Sequence, residues 1–186
     1  MKAPLVLSMS PRAGGNSDQA AALFARSLEA PCDTVFLRDF TLEPCTGCGA
    51  CAEDGLCRIG VDGAEELFTR LESACGVVLT APVYFYHLPS QAKAWIDRAQ
   101  SRYMARLRGL RLSGPIRPAY VVLVAGRKQG DNLFAGILPT LRYFLEVFDV
   151  RLENTLCLRG LDEAEDFSRD LAAMDAVRDL ARSSRW

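Results

Sequence analysis

The sequence predicts an α/β protein built on a doubly wound, five-stranded parallel sheet of order 2-1-3-4-5. Two observations carry this. Short runs rich in Val, Leu and Ile alternate with longer segments of helical period, the signature of repeated βαβ units. The chain's 186 residues, 49% apolar and 24% charged, have the size and balance of one globular domain that needs no staples. No repeat, low-complexity tract or linker divides it, so a single domain over 1–186 is expected.

The elements follow in order. Lys2 to Met9 reads as the first strand and ends at a polar turn. Ser17 to Glu29 reads as a helix with Leu23, Phe24, Ser27 and Leu28 on one face. Thr34 to Leu37 is the second strand, and Phe40 to Gly60 is irregular, rich in Pro, Gly and Cys. Asp62 with Glu65 three residues on resembles a capping box before Leu67, Phe68 and Leu71. Gly76 to Thr80 is the third strand, closed by Pro82. Ser90 can cap a helix with Ala92, Trp95, Ile96, Ala99 and Tyr103 inside. Ala119 to Ala125 is the most apolar strand, and Asp131 to Phe148 a helix that Pro139 must kink or start. Arg151 to Cys157 is the fifth strand. From Asp162 a last helix places Phe167, Leu171, Met174, Val177 and Leu180 on one stripe. Together these predict one flavodoxin-like domain with a Cys-rich insertion at 43–60.

Composition narrows the function classes. Lys plus Arg (22) nearly balance Asp plus Glu (23), so no nucleic acid partner is expected. The apolar runs are too short for a bilayer, so no membrane partner is expected either. The N-terminal stretch shows no signal-peptide core or cleavage site, which predicts a cytoplasmic protein. In that reducing setting Cys45, Cys48, Cys51 and Cys57, four of the seven cysteines, read as metal ligands or redox groups rather than disulfides. Cys32, Cys75 and Cys157 fall in or beside apolar runs and read as small hydrophobes.

In doubly wound sheets ligands bind outside the carboxyl ends of the strands. The loop Ser8 to Ser17 after the first strand has adjacent glycines, polar donors and Arg12, and runs into a helix N-terminus, where a phosphate is well served. It matches neither a Walker A nor a G-x-G-x-x-G pattern; a plain polar turn is its bland reading. After the third strand, Tyr84-Phe85-Tyr86 between Pro82 and Pro89 suits a flat ring, with an apolar plug or dimer contact as alternatives. His87, the one histidine, is a candidate proton donor or hydrogen-bond partner, with neither role as its bland reading. The loop Ala125 to Asn132 is polar and basic, suited to a reduced anionic ring or simply to solvent. Arg98, Arg102, Arg106, Arg108 and Arg111 form a basic stretch that reads as an NADPH-phosphate receiver, a docking site for an acidic partner or a solvated face.

Ser10-Pro11-Arg12-x-x-Gly15-Asn16-Ser17, Ala81-Pro82-Val83-Tyr84-Phe85 and Lys93-x-x-Ile96-Asp97-Arg98 together resemble the NAD(P)H-dependent FMN reductase superfamily. The resemblance implies that Ser10, Arg12, Asn16 and Ser17 hold the FMN phosphate. It implies that Pro82, Val83, Tyr84 and Phe85 line the isoalloxazine, and that the loop from Ala125 to Gly130, with Gly126, closes the other edge. Met9 stands where the family commonly has Gly, and the Ala125 loop lacks its Gly-Gly-Glu run. Within the superfamily, Cys45-x2-Cys48-x2-Cys51-x5-Cys57 resembles the compact motif of the iron–sulfur flavoproteins, implying FMN plus a [4Fe–4S] cluster. Gly47, Gly49 and Gly55 suit the tight turns needed there. Zinc, or thiols with no metal, are the other occupancies.

The leading expectation is therefore an FMN-dependent oxidoreductase passing electrons between FMN and the cluster. It has a small-molecule or protein electron donor and acceptor, NAD(P)H as a possible donor and no dedicated catalytic side chain, and it forms a homodimer or homotetramer. The alternatives are an NAD(P)H-dependent FMN or quinone reductase without a cluster, and a non-catalytic zinc or oxidant-sensing module.

Overall fold

A computed structural model describes residues 2–111 and 113–186. Among the described residues the five strands are β1 (Leu5–Ser8), β2 (Asp33–Phe36), β3 (Val77–Pro82), β4 (Arg117–Ala125) and β5 (Val150–Arg159). They are all parallel, in the expected order β2-β1-β3-β4-β5. In chain order the helices are α1 (Asn16–Ser27), α2 (Cys51–Asp54), α3 (Gly63–Ser73), α4 (Ser90–Arg98), α5 (Gln100–Leu107), α6 (Ile137–Glu146), α7 (Asp166–Arg169) and α8 (Leu171–Ser183). Among the described residues no helix is long and apolar enough to cross a membrane.

The inner strands are apolar on both faces because helices cover both. Alternation assigns each residue its layer. Leu5, Leu7, Val77, Leu79, Val121 and Leu123 face the layer of α3, α4 and α6. Val6, Val78, Tyr120, Val122 and Val124 face α1 and α8. The first layer is aromatic at its centre: Phe68 lies 5.6 Å from Trp95 and 5.3 Å from Phe148, and Trp95 4.8 Å from Phe144, between ring centroids.

Several boundaries differ from the expectation, each for a local reason. Pro89, not Ser90, occupies the N-cap of α4. The helix expected to run through to Tyr103 is broken at Ala99 into α4 and α5, which turns Tyr103 outward. Pro139 falls in the first turn of α6, where its missing N–H leaves no bond unmade. The last helix is split at Asp170, whose side chain accepts from the Ala173 N–H to cap α8. That break rephases the stripe, so Leu171 is 71% exposed while Phe167, Val177 and Leu180 stay buried.

The basic stretch is largely absorbed by ion pairs. Arg98 meets Asp62 at 2.7 Å, Arg102 meets Glu65 at 2.6 Å and Arg106 meets Asp149 at 2.8 Å. Arg111 approaches Glu72 at 3.7 Å. These residues stitch α4 and α5 to α3 and to the α6–β5 turn.

Phe68→Ala removes a fully buried ring that touches both Trp95 and Phe148, and should cost about 3–5 kcal/mol. Urea unfolding of the two proteins side by side checks this.

Candidate functional site

The β1–α1 loop is held from beneath by a buried carboxylate. Asp18 accepts from the Ser8 hydroxyl at 2.6 Å and from the Gly14 N–H at 2.8 Å, and pairs with Arg38 at 2.9 Å. Gly14 sits at φ +70°, a conformation that favours glycine. Gly15, the N-cap of α1, has no side chain to cover the helix's first N–H groups. Those groups border a cavity of about 140 Å³ together with Ser10 and Arg12. An anion there meets unpaired backbone donors and the positive end of the helix dipole.

Asn16 serves a different purpose from the one expected of its side chain. Its amide donates to the carbonyls of Leu161 and Glu163 at 3.1 and 2.9 Å, and its oxygen accepts from the Phe167 N–H at 3.0 Å. It therefore ties this loop to the β5–α7 turn, leaving its backbone N–H for an anion. The Ser10 hydroxyl is likewise engaged with the Arg12 backbone, at 3.0 and 3.2 Å.

The aromatic loop folds as a tight hairpin. Tyr84 and His87 exchange backbone hydrogen bonds at 2.8 and 2.9 Å, with Phe85 at φ +49° and Tyr86 at φ +62° between them. Two positive-φ residues are what a type I′ turn requires, but Asn-Gly is the usual pair; bulky side chains there are strained. Such strain persists only when surroundings impose it, and it gathers at functional sites. Here Val83 donates to the Val124 carbonyl at 2.8 Å, and the His87 ring meets Thr140 Oγ1 at 3.3 Å. His87 thus anchors the hairpin. The result presents Phe85 fully to solvent, over a cavity of about 460 Å³ bordered by Val83, Tyr84, Gly126 and Leu133.

The two cavities share Val83, Tyr84, Gly126 and Asp162, so they form one groove across the carboxyl edge of the sheet. Its size suits a ligand of cofactor dimensions. Ser10, Arg12, Asn16, Ser17, Pro82, Val83, Tyr84, Phe85 and Gly126 all border it. A Cβ on Gly126 would lie 2.4 Å from Asp162 Oδ1, so only glycine admits that carboxylate. The β5–α7 turn, with Leu161, Asp162 and Ala164, is the wall that the sequence reading missed, because it assigned Asp162 to a continuous helix.

The cysteine loop forms a second concavity, about 420 Å³, bordered by Cys45, Cys48, Cys51 and Cys57 and floored by α4 and α5. Gly47, Gly49 and Gly55 sit at φ +67°, +76° and +76°, providing the turns expected of them. Gly55 also lets the loop dock: a Cβ there would lie 2.7 Å from that of Ala105. The Ala50 N–H lowers the Cys48 thiol pKa, whereas burial raises that of Cys51, with the neighbouring thiols adding to the rise. Among the described residues no group of three Cys, His, Asp or Glu side chains is placed to hold a single metal ion. Four thiols round one cavity fit a cubane in kind, since each ligates a different iron.

Helix α4 connects the two concavities. Two residues separate it from the hairpin, and it ends at Arg98 on the border of the cysteine cavity, a span of about 13 Å at ~1.5 Å per residue. Gln91 on it donates to the carbonyls of Leu37 and Phe40 at 3.2 Å, and Arg98 holds Asp62. Burial opposes the charge of Asp62, but hydrogen bonds led by Arg98 carry its carboxyl below the usual range.

A depressed folded pKa stabilises above the unfolded value of about 4 and ceases to as pH falls through the folded one. Asp62→Asn should therefore lower stability at neutral pH by about 1–3 kcal/mol. The gap from wild type should narrow below about pH 4 in thermal melts. Gly55→Ala, forced into a left-handed backbone and against Ala105, should cost about 1–3 kcal/mol and speed alkylation of Cys51 as the loop lifts. Peptide mapping after timed iodoacetamide treatment reads that.

The model of the family described as NADPH-dependent FMN reductase matches residues 4–156. The chain is 36% identical over 96 residues to the iron-sulfur flavoprotein of Methanosarcina thermophila, covering 50% of each. It is 34% identical over 101 residues to that of Archaeoglobus fulgidus, covering 53% of this chain and 45% of the other. The chain thus spans about half the length of the curated relatives it matches. Among solved structures, an NAD(P)H:quinone oxidoreductase from Methanothermobacter marburgensis superposes with a TM-score of 0.71 at 17% identity, over 98% of this chain and 96% of that one.

Proposed function

The chain belongs to the NADPH-dependent FMN reductase family, a family of flavin oxidoreductases, and from that premise we propose that its groove binds FMN and its cysteine loop binds a [4Fe–4S] cluster. The proposed activity is electron transfer between the two, with NAD(P)H as donor to the flavin. One observation carries the reading: the residues suited to phosphate, ring and cluster fall into two concavities at opposite ends of α4. The names of the relatives, which the chain matches over about half their length, agree with it.

Each residue has a distinct task. Arg12 and the first N–H groups of α1 take the terminal phosphate, with Ser10 and Ser17 beside them. Pro82, Val83, Tyr84 and Phe85 pack one side of the ring and exclude water there, while the loop from Ala125, with Gly126, closes its other edge. Cys45, Cys48, Cys51 and Cys57 supply the thiolates. FMN, when bound, accepts electrons as a hydride and releases them singly, which is what a one-electron centre nearby requires. No side chain in the groove acts as nucleophile. The proposal includes a single domain, a cytoplasmic setting, a homodimer or homotetramer and small-molecule or protein electron acceptors.

A second reading, an NAD(P)H-dependent FMN or quinone reductase with free thiols, draws support from the thiols not closing on a common position.

Anaerobically purified protein should carry one FMN with about four iron and four sulfide per chain. Cys51→Ser should lose the iron and keep the flavin. Arg12→Ala should keep the iron and weaken FMN binding roughly 10- to 100-fold, the worth of a charged hydrogen bond. Flavin without iron or sulfide, together with NAD(P)H oxidation by that iron-free protein, would establish the second reading instead.

A further inference from the structure

One side chain closes the cysteine loop. Arg98 is buried to 1% exposure, and its Nη1 donates to the Glu43 carbonyl at 3.0 Å and to Asp62 Oδ2 at 2.7 Å. Its Nη2 donates to the Gly60 carbonyl at 3.3 Å. Glu43 and Gly60 stand at the loop's entrance and exit, so a single guanidinium ties both ends together. The third nitrogen, Nε, is buried and its N–H has no hydrogen-bond partner. Arg98 also borders the cavity of the four cysteines.

A buried donor without an acceptor costs about 1–3 kcal/mol, and arginine cannot shed its proton to escape that cost. If the loop needed only a staple, the two Nη atoms would suffice. The remaining donor calls for an acceptor that arrives with the occupant of the cavity, and thiolate or sulfide sulfur is the acceptor such an occupant brings.

We infer that the Arg98 Nε–H is held for a sulfur of the cluster's ligand shell, so that Arg98 both closes the loop and sets the cluster's reduction potential. This rests on the cluster reading above. Reduction adds one electron and hence one negative charge to the cluster, while Arg98 keeps all its protons. A donor and a positive charge beside the sulfurs favour the reduced form and raise the potential. Asp62, at the far side of the guanidinium, offsets part of that charge, so the two residues should act with opposite sign.

The test is a potentiometric titration of the anaerobic holoprotein, following the cluster by electron paramagnetic resonance and the flavin by absorbance. Arg98→Lys keeps the charge but loses the fork and the Nε–H. It should disfavour cluster reduction by about tenfold, a negative shift of about 59 mV for one electron, with the flavin potential unchanged. Asp62→Asn should shift the cluster potential positive. Should Arg98→Lys fail to retain iron, the Asp62→Asn shift decides alone. Iron retained with an unmoved cluster potential in these variants overturns the inference and leaves Arg98 a staple. A parallel shift of flavin and cluster overturns it too, because the effect would then be global. Wild-type protein that holds no cluster overturns both this inference and the reading beneath it, which separates the two failures.

Discussion

Every strand runs in the same direction, and that one constraint determines where chemistry can occur. The loops after β1, β2, β3, β4 and β5 all emerge on one edge of the sheet. Side chains distant in sequence therefore meet there without any long excursion of the chain. The groove gathers Ser10, Tyr84, Gly126 and Asp162 in this way, from four separate connections. The cysteine loop leaves the same edge from β2 and is turned aside onto α4 and α5, which gives it a cavity of its own.

Both loops depend on a carboxylate–guanidinium pair that is largely withdrawn from water. Asp18 with Arg38 holds the phosphate-type loop, and Asp62 with Arg98 holds the cysteine loop. Neither pair is a strong source of net stability, since desolvation offsets most of the attraction. Their value is geometric: each carboxylate also accepts a backbone N–H, from Gly14 in one case and from Glu43 and Ala64 in the other. Irregular backbone with few helix or sheet bonds is thereby fixed in one conformation. The hairpin carrying Phe85 follows the same logic with different parts, its strained turn held by Val124 and Thr140.

Much of this was legible in the residues. The parallel sheet followed from five apolar runs alternating with helical segments, because parallel strands buried on both faces leave continuous apolar stretches, and its order from the chain's length and the doubly wound class. The nine residues that the resemblance assigns to FMN come together along one groove, since motif residues at strand ends have little freedom in where the fold places them. What the sequence hid was tertiary. Nothing local announces that Asp170 would interrupt a helix and turn Leu171 outward, or that Asn16 would use its side chain on Leu161 and Phe167 more than 140 positions away. Arg98 looked like one member of a basic stretch; only packing shows it buried between Glu43, Gly60 and Asp62. Nor does any local pattern predict two aromatics in left-handed backbone, a conformation that composition argues against.

The central claim is that one chain holds two redox groups, one at each end of α4. A crystal structure of the anaerobically prepared holoprotein, with data collected across the iron absorption edge, tests it most directly. Anomalous density should be enclosed by Cys45, Cys48, Cys51 and Cys57, with a flavin ring between the Tyr84–His87 hairpin and Gly126. Iron bound elsewhere, or a flavin outside that groove, would contradict it.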